Sequence, residues 1–243
     1  YYVGQFVERA REAGAEVSFA ATAQQACDQA VEFMTGAGVE LAVKGKSMVA
    51  EEVGLNAALE AAGVRVIETD AAEHMLQLSG EAPSHIVVPA IHNDRGSIQR
   101  LYRDKLGYSG SDDPQEILLF LRNLLRPEFL RAQAGITGCN FAIAETGTCT
   151  LVTNEGNGRM CASVPENQLV LVGVERILPD LRSLDVLMKL LVRSAVGAKI
   201  TCGVTLNTGT RRPGEADGPA RVRVILVDNG RTRALASADF RPM

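Results

Sequence analysis

Residues 144–159, AETGTCTLVTNEGNGR, concentrate side chains that bind anions and exchange protons. An apolar run at residues 149–152 separates a Glu-Thr-Gly-Thr turn from a second polar loop. Hydroxyl, amide and guanidinium groups can bind a carboxylate or phosphate, and glycine lets the backbone approach a ligand closely. The segment therefore predicts ligand-binding roles for Thr146, Gly147, Thr148, Asn154, Glu155, Gly156, Asn157 and Arg159.

The same segment carries two glutamates that suit acid–base or nucleophilic chemistry. Glu145 and Glu155 are candidates for a proton-transferring or nucleophilic carboxylate. Two hairpin turns with no ligand-binding role would also contain asparagine and glycine. The glutamates, threonines and arginine exceed what such turns require, so the sequence favours a binding role.

A third glycine-rich loop, TGTRRPGEADGP at residues 208–219, lies between two predicted strands. Arg211 and Arg212 could clamp a carboxylate or phosphate, because guanidinium suits bidentate pairing. An exposed turn with solvated charges explains the same residues equally well.

Further polar residues follow predicted strands. Lys46 and Ser47 follow the alternating run at residues 39–43, and two lysines before a helix start could hold an anion. The phosphate-binding P-loop spacing is absent, so an N-cap serine with solvated lysines is favoured from spacing alone. Glu68 follows the next strand and could act in acid–base chemistry or bind a ligand hydroxyl, whereas Asp70 is interpreted as a helix cap.

His92 follows the end of a predicted strand at residues 86–90. A histidine in such a loop is a candidate proton carrier or anion ligand, although a lone histidine is more often structural. Glu145 and His92 are therefore the catalytic candidates. No metal-ligand constellation has a recognised spacing, and none of the five cysteines forms a C-x-x-C pair.

The elements that must position these residues alternate between strands and helices. Strands are predicted at residues 17–20, 39–43, 64–69, 86–90, 169–174, 199–208 and 221–228. Helices are predicted at 22–35, 48–62, 70–78, 94–106 and 183–196, and from Asp113 onward, with Pro127 kinking or restarting the last of these. The pattern indicates an α/β fold with a mainly parallel sheet, helices on both faces and an antiparallel hairpin insertion. Residues 1–243 are interpreted as a single domain.

Composition excludes some classes of partner. The formal net charge of −4 and the pI near 5.5 argue against nucleic-acid binding, which needs a basic stripe. No apolar run approaches the length that spans a bilayer. Scattered cysteines without a secretion signal indicate reduced thiols in a cytoplasmic protein.

Long runs of the chain resemble the LUD domain of LutB-type lactate-utilisation proteins. They are GKSMVAEEVGLN, ETDAAEHMLQLSGEAPSHIVVPAIH, GITGCNFAIAETGTCTLVTNEGNGR, RSAVGAKIT, TGTRRPGEADGP and VILVDNGRTRALA. The resemblance covers essentially the whole chain, in order. It implies a fold like that of the NagB/RpiA/CoA-transferase group.

The resemblance also implies a role as one subunit of a complex that oxidises L-lactate to pyruvate. In such proteins this domain is followed by a cysteine-rich, ferredoxin-like segment with iron–sulfur clusters. On that basis residues 1–243 are interpreted as an excised domain without a cofactor of its own, whose partners are a small anionic ligand and other lactate-utilisation subunits.

Two other interpretations remain open. The chain could be a stand-alone enzyme of the CoA-transferase or isomerase kind that uses Glu145 or Glu155, or a docking module whose loops contact another subunit. For the lactate interpretation, we expect the three glycine-rich loops to meet at one rim of the sheet. At that rim, Arg159 or the pair Arg211 and Arg212 would bind the carboxylate of a 2-hydroxy acid. Glu145 or His92 would lie near the hydroxyl group of the acid.

Overall fold

The computed structural model describes residues 1–84, 89–201 and 203–239. The first part of the chain runs through α1 (Tyr2–Glu12), β1 (Glu16–Ala20), α2 (Ala23–Gly36), β2 (Leu41–Lys44), α3 (Met48–Val53), α4 (Leu55–Ala61), β3 (Arg65–Glu68), α5 (Ala71–Ser79), α6 (Arg95–Leu106) and α7 (Pro114–Arg131). The rest comprises β4 (Ala134–Thr137), β5 (Phe141–Ile143), β6 (Thr148–Thr153), α8 (Asn157–Ser163), β7 (Asn167–Gly173), a 3₁₀ helix (Val174–Arg176), β8 (Ile177–Leu178), α9 (Leu181–Val196), β9 (Gly203–Asn207), β10 (Arg221–Val227) and α10 (Arg231–Ala236).

Six strands form a parallel sheet in the order β1-β10-β7-β4-β2-β3. The central strands β4 and β7 are buried along their whole length, as expected for a sheet covered on both faces. Because all six strands run in one direction, the residues that follow them gather at one edge of the sheet. This agrees with the mainly parallel sheet predicted from the sequence.

The predicted hairpin belongs to a second sheet with the order β8-β5-β6-β9. β5 and β6 pair antiparallel, β9 pairs antiparallel with β6, and β8 pairs parallel with β5. Helix α9 covers one side of this sheet, where Leu184 packs with Phe141 and Ile143. The strand predicted at residues 199–208 is thus part of the hairpin sheet.

Helices cover both faces of the parallel sheet. On one face, α2 and α4 bury Phe33, Leu55 and Leu59 against the sheet residues Ile136 and Leu169. Full burial of such a side chain stabilises the fold by about 1.5–3 kcal/mol. The other face is covered by α1 with the hairpin and by α7 with α8. The alternation predicted for β10 is confirmed, since Val222, Val224 and Leu226 share the face toward α1.

Local departures from the sequence prediction have simple causes. The single helix expected at residues 48–62 is divided at Gly54, which adopts a left-handed conformation with φ of 72°. The second polar loop leads into α8, a helix that the sequence analysis missed. Helix α7 continues through Pro127 without a restart. Most of the strand predicted at residues 86–90 lies outside the described residues.

Candidate functional site

A cleft of about 900 Å³ opens at the carboxyl edge of the parallel sheet, and we call it the carboxyl-edge cleft. Its floor is built by Thr137 at the end of β4 and by the loops that follow β2, β3 and β4, which contribute Gly45, Lys46, Ser47, Asp70 and Asn140. Ligands bind at this edge in open α/β sheets because strand ends leave polar backbone groups free there. The position of Lys46 and Ser47 in the cleft agrees with the sequence prediction, while Ser47 also caps α3 by accepting from Ala50 N.

The opposite wall of the cleft comes from the second sheet and is mostly apolar. It comprises Leu151 and Val152 of β6, Leu191 and Val192 of α9, and Ile200 beyond that helix. The polar loop at residues 154–158 closes one end of the cleft and brings in Asn154, Glu155, Asn157 and Gly158. The site therefore combines a polar floor with an apolar wall, the usual composition of small-molecule sites.

Asn157 joins the two sheets at the cleft. Its Nδ2 donates to the Thr69 hydroxyl (3.3 Å), and its Oδ1 accepts from the Thr153 hydroxyl (3.2 Å). Asn140 holds the start of the hairpin, since its N–H donates to Thr150 O and its Oδ1 accepts from Val152 N, both at 2.8 Å. These bonds fix the geometry of the floor against the wall.

The cleft contains charges of both signs. Lys46 and Arg176 supply cations that can bind an anion, and Asp70 and Glu155 supply carboxylates. Burial and then the Asp70 carboxylate raise the pKa of Glu155, although Ala71 N–H and Lys46 partly offset this. Asp70 also caps α5 by accepting from Ala72 N and Glu73 N, as predicted. The arrangement can bind a small acid and exchange a proton with it through Glu155.

A buried ion network lies behind the floor. Lys44 Nζ donates to Glu68 Oε1 (2.7 Å) and to Glu51 Oε1 (3.0 Å), and Asn56 Nδ2 also donates to Glu68 Oε1 (2.7 Å). Burial lowers the pKa of Lys44, but the two carboxylates outweigh it and the net shift is upward. Glu68 is buried in this network and does not line the cleft, so the structure places it behind the site predicted from the sequence.

Glu73 lies beside this network, and its carboxylate, with those of Glu51 and Glu68, forms a cluster whose oxygens lie within 4.8 Å of one another. Burial first, and the Glu68 carboxylate second, raise the pKa of Glu73 to about 7. The ammonium group of Lys44 already binds two of the three carboxylates, so it supplies the cation of the cluster.

The Glu-Thr-Gly-Thr turn lies away from the cleft. It precedes β6, whereas the loop at residues 154–159 follows β6, and the strand separates them by roughly 17 Å at about 3.4 Å per residue. Gly147 (φ 69°) packs on α1 so closely that a Cβ would lie 2.3 Å from Ala10 N. Thr148 is hydrogen-bonded to Thr146 and to Thr208, each at 2.7 Å. The expectation that the three glycine-rich loops meet at one rim of the sheet is wrong. The Glu-Thr-Gly-Thr turn packs on α1, and its threonine hydroxyls hydrogen-bond within the protein.

The two catalytic candidates are not brought together. Glu145 is an exposed residue of the turn, and its N–H donates to Pro179 O. His92 is exposed elsewhere, with Nδ1 2.6 Å from the Ser84 hydroxyl and Nε2 2.9 Å from Glu81 Oε2. Neither residue lines the carboxyl-edge cleft.

The arginines predicted to clamp an anion lie at the other edge of the sheet. Arg159 of α8 and Arg211 line a cavity of about 390 Å³ near the amino ends of β7 and β10, which we call the amino-edge cavity. Arg212 does not line it, and its N–H donates to Glu215 Oε2. Gly156, in a left-handed conformation, precedes α8. Some of the predicted ligand-binding residues therefore divide between two sites, whereas Glu68, Gly156, Arg212 and the turn at residues 146–148 line neither.

Sequence reasoning missed Asn140 and Arg176, and it considered Lys44 as one of two lysines that could hold an anion, not as a buried partner of Glu68. Lys44 and Glu68 each end a parallel strand, and β2 and β3 pair in a register that places them side by side. Asn140 follows β4 in the same way that Lys46 follows β2. The rule that site residues follow parallel strands could have found Asn140, whereas nothing local to Arg176 indicates its place in the cleft.

Comparison with known proteins agrees with this architecture. The LUD domain family model matches residues 3–227. The crystal structure of a DUF162 family protein from Deinococcus radiodurans has the same fold, with a TM-score of 0.51 and 18% sequence identity over 93% of this chain and 96% of that one. The parallel sheet with its hairpin sheet is thus the fold of a known class of α/β proteins. The chain belongs to the LUD domain family.

Two curated relatives are similar over almost the whole chain. The chain is 47% identical over 240 residues to the uncharacterized electron transport protein YkgF of Escherichia coli strain K12, which covers 99% of this chain and 50% of that protein. It is 46% identical over 244 residues to lactate utilization protein B of Geobacillus sp. strain WCH70, covering 100% of this chain and 51% of that protein. The chain spans about half the length of these relatives. Among the described residues, no helix combines the length and apolar character needed to cross a membrane.

Proposed function

We propose that this chain is the LUD-domain portion of a lactate-utilisation subunit that takes part in the oxidation of L-lactate to pyruvate. The observation that carries the proposal is the 46% identity, over the whole chain, to proteins named lactate utilization protein B. The naming of a 47% identical relative as an electron transport protein supports an oxidative role. The proposal includes partner subunits of the same system and a cytoplasmic location.

The proposed site of the small acid is the carboxyl-edge cleft. Lys46 and Arg176 would bind its carboxylate, because both cations line the cleft. Glu155 would accept a hydrogen bond or proton from its hydroxyl, since its raised pKa makes it a stronger base than an ordinary glutamate. Asn157 would position the loop that carries Glu155 through its bond to Thr69.

The volume of the cleft supports a further part of the proposal. Sites of roughly 300–1,000 Å³ hold ligands much larger than a three-carbon acid. The cleft, at about 900 Å³, therefore has room for an electron acceptor or a loop of a partner subunit beside the acid. The apolar wall of Leu151, Leu191 and Val192 suits that second occupant.

The described cysteines do not fit an iron–sulfur cluster. Cys27 contacts Val53 O, and Cys161 contacts the Thr69 hydroxyl, so these two lie in different parts of the fold. Cys139 and Cys149 contact each other, but a cluster needs about four thiolate ligands. We therefore assign the iron–sulfur clusters of the proposed complex to residues outside this chain.

The alternative of a transferase-like or isomerase-like enzyme rests on Glu155 alone. Glu155 lines the cleft and has a raised pKa, whereas Glu145 is exposed at the distant turn. Exchange of CoA between acyl groups by the purified protein, lost in Glu155→Gln, would favour this alternative over the lactate role.

The proposal is tested by deleting the gene of the full-length protein in its own host. We expect loss of growth on L-lactate as sole carbon source, normal growth on pyruvate, and recovery when the gene is restored. Normal growth of the deletion strain on L-lactate, with no second gene of the family present, would contradict the role.

A further inference from the structure

The amino-edge cavity has a rigid wall made by the loop at residues 208–219. Thr210 N donates to Ala13 O (3.1 Å), Gly218 N donates to Ser163 O (3.0 Å), and Arg211 N donates to Pro219 O (2.8 Å). Gly209, with φ of 65°, lies so close to α1 that a Cβ would be 1.9 Å from Ala13 O. The loop is thus fixed at both ends and is not a freely solvated turn.

Hydrogen-bond donors without acceptors point to this cavity. In the part of the chain that the structure describes, the guanidinium group of Arg159 forms neither an ion pair nor a hydrogen bond. Nδ2 of Asn207 is buried and has no acceptor. Both residues line the amino-edge cavity. A buried donor without an acceptor is costly and rare in proteins, and a ligand acceptor bound beside Asn207 would supply the missing partner.

Arg211 and two carboxylates complete the lining. Arg211 Nη2 lies 3.2 Å and 3.4 Å from the two carboxylate oxygens of Glu166, which leaves its other donors available. Glu215 and Asp217 line the same cavity and supply acceptors. A ligand with only an anionic group would be repelled by these carboxylates, whereas one that also carries a hydrogen-bond donor would match both kinds of group.

We propose that the amino-edge cavity binds a small carboxylate that also carries a hydroxyl or ammonium group. The carboxylate pairs with Arg159 and accepts from Asn207 Nδ2, and the hydroxyl or ammonium group donates to Glu215 or Asp217. The volume of about 390 Å³ lies near the lower end of the range for ligand sites, which fits a small molecule. This site lies at the opposite edge of the sheet from the carboxyl-edge cleft and does not depend on the role proposed for that cleft.

The test uses L-lactate as the probe, because it is a simple hydroxy-carboxylate, and measures its binding to the full-length protein by saturation-transfer difference NMR. All variants carry Lys46→Met, which removes a cation from the carboxyl-edge cleft. In this background we expect L-lactate to bind, and Arg159→Gln and Asn207→Leu each to weaken binding at least tenfold. Arg103→Gln, an exposed arginine of α6, is the matched control and should leave binding unchanged.

Other results would contradict the proposed site in the amino-edge cavity. Unchanged binding in Arg159→Gln and Asn207→Leu, or no binding in the Lys46→Met protein, would overturn the second site. Propionate lacks the hydroxyl group and should bind several times more weakly, and equal affinity would overturn the need for a donor. If the proposed lactate role is wrong, the deletion strain grows normally on L-lactate. That result is independent of the binding measurement, so the two failures can be distinguished. Circular dichroism verifies that each variant folds.

Discussion

Lys44 Nζ lies 2.7 Å from Glu68 Oε1, with side-chain exposures of 0% and 3%. The two residues end the neighbouring strands β2 and β3, directly before the loops that form the floor of the carboxyl-edge cleft. A buried ion pair adds little net stability compared with apolar residues of the same volume, but removing one partner leaves an uncompensated charge. The pair therefore fixes the ends of both strands, and with them the position of the floor.

We predict that Glu68→Gln or Lys44→Met destabilises the fold by about 3–5 kcal/mol, because each removes the closest ion-pair partner of a buried charge. The double variant Lys44→Met with Glu68→Leu should recover most of the loss. Urea unfolding measures these free energies. Lys189→Met, which breaks an exposed pair with Asp185, is the control and should cost less than about 1 kcal/mol. Equal losses of unfolding free energy in the buried-pair variants and in Lys189→Met would contradict the structural role given to the Lys44–Glu68 pair.

The buried carboxyl of Glu73 predicts a pH dependence. Its pKa rises from 4.5 to about 7 on folding, so the folded state binds more protons than the unfolded state between these values. The contribution of Glu73 to the free energy of unfolding therefore falls as the pH rises from 4.5 to 7. Glu73→Gln should be more stable than the parent by about 1–3 kcal/mol at pH 8 and about equal to it at pH 4.5.

The measurement must compare Glu73→Gln with the parent at each pH. Burial lowers the pKa of His74 from 6.5 to about 4, so its contribution to stability rises with pH between those values and opposes that of Glu73. Subtraction of the two denaturation curves removes the contribution of His74. A difference that does not change between pH 4.5 and pH 8 would rule out the raised pKa of Glu73.

Gly147 gives a prediction for the turn before β6. Gly147→Ala places a Cβ 2.3 Å from Ala10 N and forces alanine to a φ of 69°, so we expect destabilisation by at least about 1–3 kcal/mol. Gly36→Ala is the matched control, because Gly36 is helical and no atom lies within 4 Å of its added Cβ. Thermal unfolding compares the two. Equal melting temperatures would show that the turn does not pack tightly on α1.

The sequence predicted those parts of the fold that depend on local pattern. Apolar alternation placed Val222, Val224 and Leu226 on one face, and Asp70 was predicted as a helix cap. Strand order and the membership of β9 in the hairpin sheet depend on pairing between distant segments, which periodicity does not encode. The fold class was accessible from the sequence, whereas the second sheet was not.

Only some of the residues predicted for the site come together in the structure. Lys46 lines the cleft because its loop follows the parallel strand β2, and Asn157 lines it from the start of α8, after the hairpin strand β6. Thr146 and Asn157 are close in sequence, but β6 runs between them and carries them to opposite ends of the hairpin sheet. Closeness along the chain was mistaken for closeness in space. A buried pair such as Lys44 with Glu68 could not be distinguished in the sequence from solvated charges.

The central claim is that the carboxyl-edge cleft, and not the Glu-Thr-Gly-Thr turn, acts in lactate oxidation. The most direct measurement is the rate of L-lactate-dependent reduction of an electron-accepting dye by the complete complex. Loss of a hydrogen bond to a charged group costs about 1.5–3 kcal/mol, so Lys46→Met should slow the reaction about tenfold or more. Glu145→Gln should keep the parent rate. A parent rate in Lys46→Met together with a large loss in Glu145→Gln would contradict the account.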